Sequence, residues 1–132
     1  MKYVLDTDTC ICALKRLHGV LEQMLTKNRS DVALSVITEA ELRTGAAKSA
    51  SPVKALRLLE NFLRPITVLE FTSDDAVAYA TIRSKLERSG TPIGPLDTLI
   101  ASQAASRKLT LVSNNLPEFQ QISGLRLENW AQ

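Results

Sequence analysis

Short apolar runs alternate with helical stretches along this chain, and no hairpin turn joins any two of the runs. That pattern restricts the fold more than any other feature, because only parallel strands require a long crossover between them. Lys2–Leu5 is too short and too apolar for a strand with one wet face, so it reads as a buried central strand. Val32–Val36, Ile66–Phe71 and Leu109–Ser113 read as further strands, with Leu125–Leu127 a short last one. Between them the spacing predicts helices from Thr7 or Thr9 towards Leu17, over Val20–Lys27, and from about Thr38 to Lys48. Pro52 opens a helix carrying Val53, Leu56, Leu59 and Leu63. Thr72 or Ser73 caps a long helix that Gly90 ends, and another covers Leu96–Arg107. The expectation is a single α/β domain over residues 1–132, its parallel sheet covered by helices on both faces.

Open sheets of this kind bind ligands outside the carboxyl ends of their strands. Four carboxylate-bearing segments stand at such ends or in the first turns of the helices that follow. They carry Asp6 with Asp8, then Glu41, then Asp97 after the loop Gly90–Pro95, and finally Glu118. Carboxylates that converge repel one another unless a cation holds them, so the pattern points to a magnesium or manganese site. Taken singly, each acid also has a structural explanation. Asp6 fits a helix N-cap equally well, and Thr38-Glu39-Ala40-Glu41 fits a capping box with Thr38 as the cap. Asp97 is favoured by a helix dipole, and Asn114, Asn115 and Pro117 make ordinary turn chemistry beside Glu118. Asp8 points with Asp6 in an extended segment and away from it in a helix. Only the loop before Asp97, with two prolines and two glycines around one acid, favours function by itself.

The formal charge of +2 is unremarkable, yet setting aside four pooled acids leaves +6 on the rest of the surface. A negative pocket in a basic surround suits a metal-dependent enzyme acting on a polyanion. Arg43, close after Glu41, is the leading candidate for a phosphate contact. Cys10 and Cys12 are too near each other for a disulfide and have no His/Cys cluster to complete a zinc site, which points to a reducing compartment. The N-terminus does not read as a secretory signal, and no run is long enough to span a bilayer, so a cytoplasmic protein with no membrane contact is expected. His18 has no catalytic partner, which leaves a serine or cysteine triad unsupported.

Three groups of residues then combine. Leu5-Asp6-Thr7-Asp8-x-x-Ile11, Ser35-Val36-x-Thr38-x-x-Glu41-Leu42-x-x-Gly45 and Gly94-x-x-Asp97-x-x-Ile100-Ala101 together resemble the PIN-domain toxins called VapC. The tail Leu111-Val112-Ser113-Asn114-Asn115-x-x-Glu118-Phe119, followed by Gly124-Leu125-x-x-Glu128-Asn129-Trp130, resembles them too. The resemblance covers nearly the whole chain. It implies a three-layer α/β sandwich with a central parallel sheet of four to five strands. It implies a Mg²⁺-dependent endoribonuclease, with Mn²⁺ a substitute, that forms a homodimer and is held inactive by a VapB antitoxin in a larger assembly. Operator DNA would be contacted only through that antitoxin, and the RNA expected is initiator tRNA, cut in its anticodon stem-loop. Asp6, Glu41 and Asp97 match the family's acidic triad, with Asp6 and Asp97 as direct metal ligands. Glu118 matches a fourth acidic position for which Asn115 is the rival, and Thr7, Asp8 and Asn115 stand behind the ligands. One departure is Asp8, where the family usually has asparagine.

Two other readings use the same residues. Val4-Leu5-Asp6-x-Asp8 after a strand resembles the opening of haloacid-dehalogenase-type phosphatases, with Asp6 as nucleophile, but Ser113-Asn114-Asn115 lacks the acid pair that chemistry needs. A PIN module that only binds RNA or a partner is the non-enzymatic alternative, and retention of all three triad positions argues against it.

Overall fold

In the computed structural model, which describes residues 1–132, the apolar runs become five strands. They are β1 (Tyr3–Leu5), β2 (Val32–Ser35), β3 (Thr67–Leu69), β4 (Thr110–Val112) and β5 (Arg126–Glu128). Every pairing is parallel, in the order β3-β2-β1-β4-β5. The connections carry α1 (Thr7–Leu14), α2 (Val20–Leu25), α3 (Val36–Ala47), α4 (Pro52–Leu63), α5 (Ser73–Arg88), α6 (Pro95–Ser106) and α7 (Leu116–Phe119). The three-layer α/β architecture is therefore as expected, with five strands. No helix is long and apolar enough to cross a membrane.

Strand alternation divides the interior in two. Leu5, Leu34 and Val112 face one side, where they pack with Cys10, Leu42, Leu59 and Leu63 from α1, α3 and α4. Their neighbours Val4, Ala33 and Leu111 face the other side, against Leu86, Ile100, Ala104 and Phe119 from α5, α6 and α7. A sheet buried on both faces needs apolar residues at consecutive positions, which is why these strands read as unbroken runs. Cys10 and Cys12 are free and buried, packed as small apolar side chains.

Three departures from the sequence reading have local causes. The third helix begins at Val36, because Ser35 at the end of β2 is its N-cap and accepts from the Ile37 N–H at 2.9 Å. Thr38 and Glu41 are thereby one turn inside the helix, and the capping box expected there does not form. The first helix stops at Leu14, short of Leu17, because Arg16, His18 and Gly19 all take left-handed backbone angles. The segment after Asn115, where turn chemistry is expected, forms the short helix α7; Pro117 fits its first turn, where no N–H partner is lost.

The capping box occurs instead at Thr72, whose side chain and backbone N–H both bond to Asp75. Asp75 is fully buried and also takes hydrogen bonds from Ser106 and, at 3.0 Å, from Arg107. Arg107 donates to the Glu70 carbonyl, and Gln103 to those of Leu69 and Glu70. This network fastens the end of α6 to the end of β3 and the start of α5.

Candidate active site

Chain order reverses beside β1, with β2 and β3 on one side and β4 and β5 on the other. Connections leaving β1 and β4 diverge there, opening a crevice at the carboxyl edge of the sheet. Asp6 follows β1 directly and is 4 % exposed. It is the N-cap of α1, and its Oδ1 accepts from the Thr9 N–H at 2.9 Å. Ser113, just past β4 and fully buried, lies beside the Asp6 carboxylate and draws its pKa down. The Ser113 hydroxyl accepts from the Asn115 N–H at 2.9 Å, so its one proton is free for Asp6. Burial pushes the Asp6 pKa up, against the pull of Ser113 and Thr9, and the charge of Asp8 adds to the rise.

Glu41 reaches the same edge from α3. Thr7 donates to Glu41 Oε1 at 2.7 Å, and the Thr7 and Thr38 hydroxyls lie 3.1 Å apart. A carboxylate can only accept, so the Thr7 proton goes to Glu41 and Thr38 donates to Thr7. This relay exists because Ser35, not Thr38, caps the helix. Glu118 arrives from α7, and the Asn115 side chain donates to its Oε2. Asn115 and Glu118 are thus partners at one corner of the site.

Asp97 stands in the first turn of α6. Its pKa is pushed up from 3.8 to about 6, first by burial and then by the charges of Glu118, Asp6, Glu41 and Asp8. A carboxyl that responds to four others shares their space. Asp8, itself exposed, still acts on both Asp6 and Asp97. The charges of Glu118, Asp6, Glu41 and Asp8 thus all reach Asp97 within the fold.

No three of these acids stand close enough together to hold one ion by themselves. An oxygen-only donor set with excess negative charge suits a hard divalent cation, and Mg²⁺ in particular keeps several waters while using only one or two carboxylates. The donors present fit such an ion. Cys10, which feels the charge of Asp6, is held protonated by burial and then by that charge, so it does not compete as a soft ligand.

Arg43 does not serve as a free phosphate contact. Its guanidinium bonds Glu39 at 2.7 Å and Glu60 at 2.8 Å, bridging α3 to α4. Two residues beyond Glu41 places it about 200° round the helix, away from the acids. Ser113 and Thr38 are the polar groups that sequence reasoning passed over. Both are fully buried beside site acids, and both were visible only as small hydroxyl residues within the quoted motifs.

Fold and site together define a nuclease-type acidic centre on a parallel α/β sheet, the class built on the PIN domain, whose family model matches residues 3–125. The tRNA(fMet)-specific endonuclease VapC of Salmonella typhimurium is 41% identical over 130 residues, covering 98% of each chain. The like-named protein of Shigella flexneri is 37% identical over 131 residues, covering 99% of each. A crystal structure of DNA-bound VapBC from Salmonella typhimurium superposes with a TM-score of 0.94 over 99% of both chains. VapBC2 from Rickettsia felis, bound to a promoter DNA fragment, gives 0.91 at 34% identity, covering 98% of this chain and 99% of that one. The chain belongs to the VapC ribonucleases of the PIN-domain family. Divalent-metal dependence is general among PIN-domain nucleases, and the family match and the relatives, all ribonucleases, speak for that chemistry over a dehalogenase-type phosphatase.

Proposed function

We propose that this chain is a Mg²⁺-dependent endoribonuclease toxin that cuts initiator tRNA in the anticodon stem-loop and is silenced by a VapB-type antitoxin. The observation that carries the metal site is Asp97, whose proton affinity is raised by burial and by four other carboxylates at once. Asp6 and Asp97 would hold the ion, with Mn²⁺ able to replace it. An ion held there would supply positive charge to offset that of the scissile phosphate and would lower the pKa of an attacking water. Thr7 and Asn115 fix Glu41 and Glu118 by hydrogen bonds, which would hold these acids ready to position waters of the ion, and Ser113 lies against Asp6. Unpaired loop nucleotides suit the open crevice, since proteins read RNA sequence mainly in single strands. The relatives named for tRNA(fMet) support this choice of substrate.

The VapBC assemblies among the similar structures support an antitoxin partner, and a homodimer in the cytoplasm completes the proposal. An apolar groove of about 330 Å³ between α1, α3 and α4 has Glu41 in its wall, which suits an antitoxin segment that brings a basic residue to the acids. The test is cleavage of total bacterial tRNA by the purified chain in Mg²⁺ or excess EDTA, beside Asp6→Asn. Defined fragments that need both metal and Asp6, with ends in the initiator anticodon loop, are expected. Cleavage that persisted in EDTA would refute the metal site, and fragments from another RNA would refute the substrate.

A further inference from the structure

A cavity of about 380 Å³ lies between the last turns of α5, the C-terminal part of α6 and the turn at residues 121–123. Its polar lining includes Lys85, Arg88, Ser89, Gln121 and Ser123, over a floor that includes the buried Ile122. No carboxylate lines it. Lys85 and Arg88 form no ion pair, whereas Arg43, Arg83 and Arg107 are each bound to an acid. The groove beside Glu41 contains that acid, and the cleft at Pro92 sets Arg83 against Glu87. The hollow at Met24 also has cations, Lys27 and Arg29, and no carboxylate, but it lies at Val32, where β2 begins, on the edge of the sheet opposite the acids.

Two cations in the last turn of a helix also complement its dipole. That accounts for the charges on α5 but not for the neutral hydrogen-bonding groups brought opposite them by residues 121–123. Placement ties the cavity to the acids. The α6 helix reaches it at Ala105 and begins beside Asp97, about 12 Å away along its axis. Gln121 follows Glu118 by a single turn, its N–H bonded to the Glu118 carbonyl. An acidic centre repels a polyanion, so a strand entering it needs cations along its path.

We propose that this cavity is a second RNA subsite, in which Lys85 and Arg88 hold a backbone phosphate a few nucleotides from the cut. Ser89, Gln121 and Ser123 hydrogen-bond to that phosphate or to its ribose, whose 2′-hydroxyl both donates and accepts. Such contacts set the register of the strand and carry no base preference. The inference rests on the ribonuclease reading of the acidic site.

The test measures binding of a labelled initiator anticodon stem-loop across a salt series, in Mg²⁺, on a non-cutting Asp6→Asn background. K85Q/R88Q and S123D are compared with K54Q/R57Q, which removes the same charge from the exposed face of α4. K85Q/R88Q and S123D should each weaken binding about tenfold, and the log–log salt slope of K85Q/R88Q should fall by about 1.4, two contacts' worth. The control should stay within about twofold of the parent. Equal losses in K85Q/R88Q and the control, or no effect of S123D, would overturn the subsite while the unmutated chain still cut RNA. An unmutated chain that neither bound nor cut the RNA would overturn the ribonuclease reading and the subsite with it.

Discussion

Replacing Asp97 by asparagine should make the metal-free protein more stable while destroying its site. In the folded chain the Asp97 pKa lies near 6, driven there by burial and then by Glu118, Asp6, Glu41 and Asp8, against 3.8 without those influences. A carboxyl raised in this way binds its proton more tightly when folded. Its penalty is absent well below pH 3.8, grows as pH rises from there through 6, and is complete above that. The displacement corresponds to about 3 kcal/mol. Solvent reaches part of the side chain, which reduces the figure to about 2 kcal/mol. The dipole of α6 is already contained in the folded pKa, so the gain expected for D97N is about 2 kcal/mol at pH 7.5. Urea unfolding in EDTA, followed by circular dichroism, would show the variant more stable at pH 7.5 and almost equal to the parent at pH 4. Added Mg²⁺ should reverse the ranking, since only the parent gains from binding. A D97N protein no more stable than its parent at pH 7.5 would refute the argument that five carboxylates share one space.

Other outcomes follow from the same structure. Asp75 is buried, which alone would raise its pKa, but Arg107, Ser106 and the Thr72 N–H outweigh burial and hold it at about 2. It therefore contributes about 2 kcal/mol that is present above pH 3.8 and lost as pH falls towards 2, to be read from acid titration of the melting temperature. Asp75→Ala leaves Arg107 partly buried without its partner and should lose about 3 kcal/mol in urea unfolding at neutral pH. Thr7→Val removes the donor that fixes Glu41, so kcat on RNA should fall at least about tenfold while Thr7→Ser stays near the parent; equal activity of the two would remove Thr7 from the site. Glu118→Gln should weaken Mg²⁺ binding by calorimetry about tenfold and Asn115→Ala less, because Asn115 only orients the acid. The opposite order would give the fourth position to Asn115.

Much of the architecture was legible along the chain. Val4-Leu5, Ala33-Leu34 and Leu111-Val112 are apolar at consecutive positions, a pattern that only a doubly covered sheet satisfies, and all six are fully buried. The four acidic segments were legible for a related reason, since each follows a strand or opens a helix at the sheet's carboxyl edge. Ends of helices were less so. Thr38 and Ser35 are equally good caps by residue type, and the choice fell to Ser35 because the strand runs into the helix with no loop between. That one-turn difference turned Glu41 from the expected capping group into a member of the site.

Residue type and order were enough to determine the layers, the parallel sheet and the candidate acids, because burial periodicity and strand-end position are properties of the chain read locally. Whether those acids act on one another was decided only in three dimensions. Asp6 and Ser113 are over a hundred positions apart in the chain, yet β1 and β4 are paired neighbours that set them side by side. The same folding withdrew Arg43, whose partner Glu60 lies on another helix, and left Lys85 and Arg88 facing the turn that follows Glu118. Charge interaction falls with distance through space, and distance through space is what the crossovers of a parallel sheet rearrange.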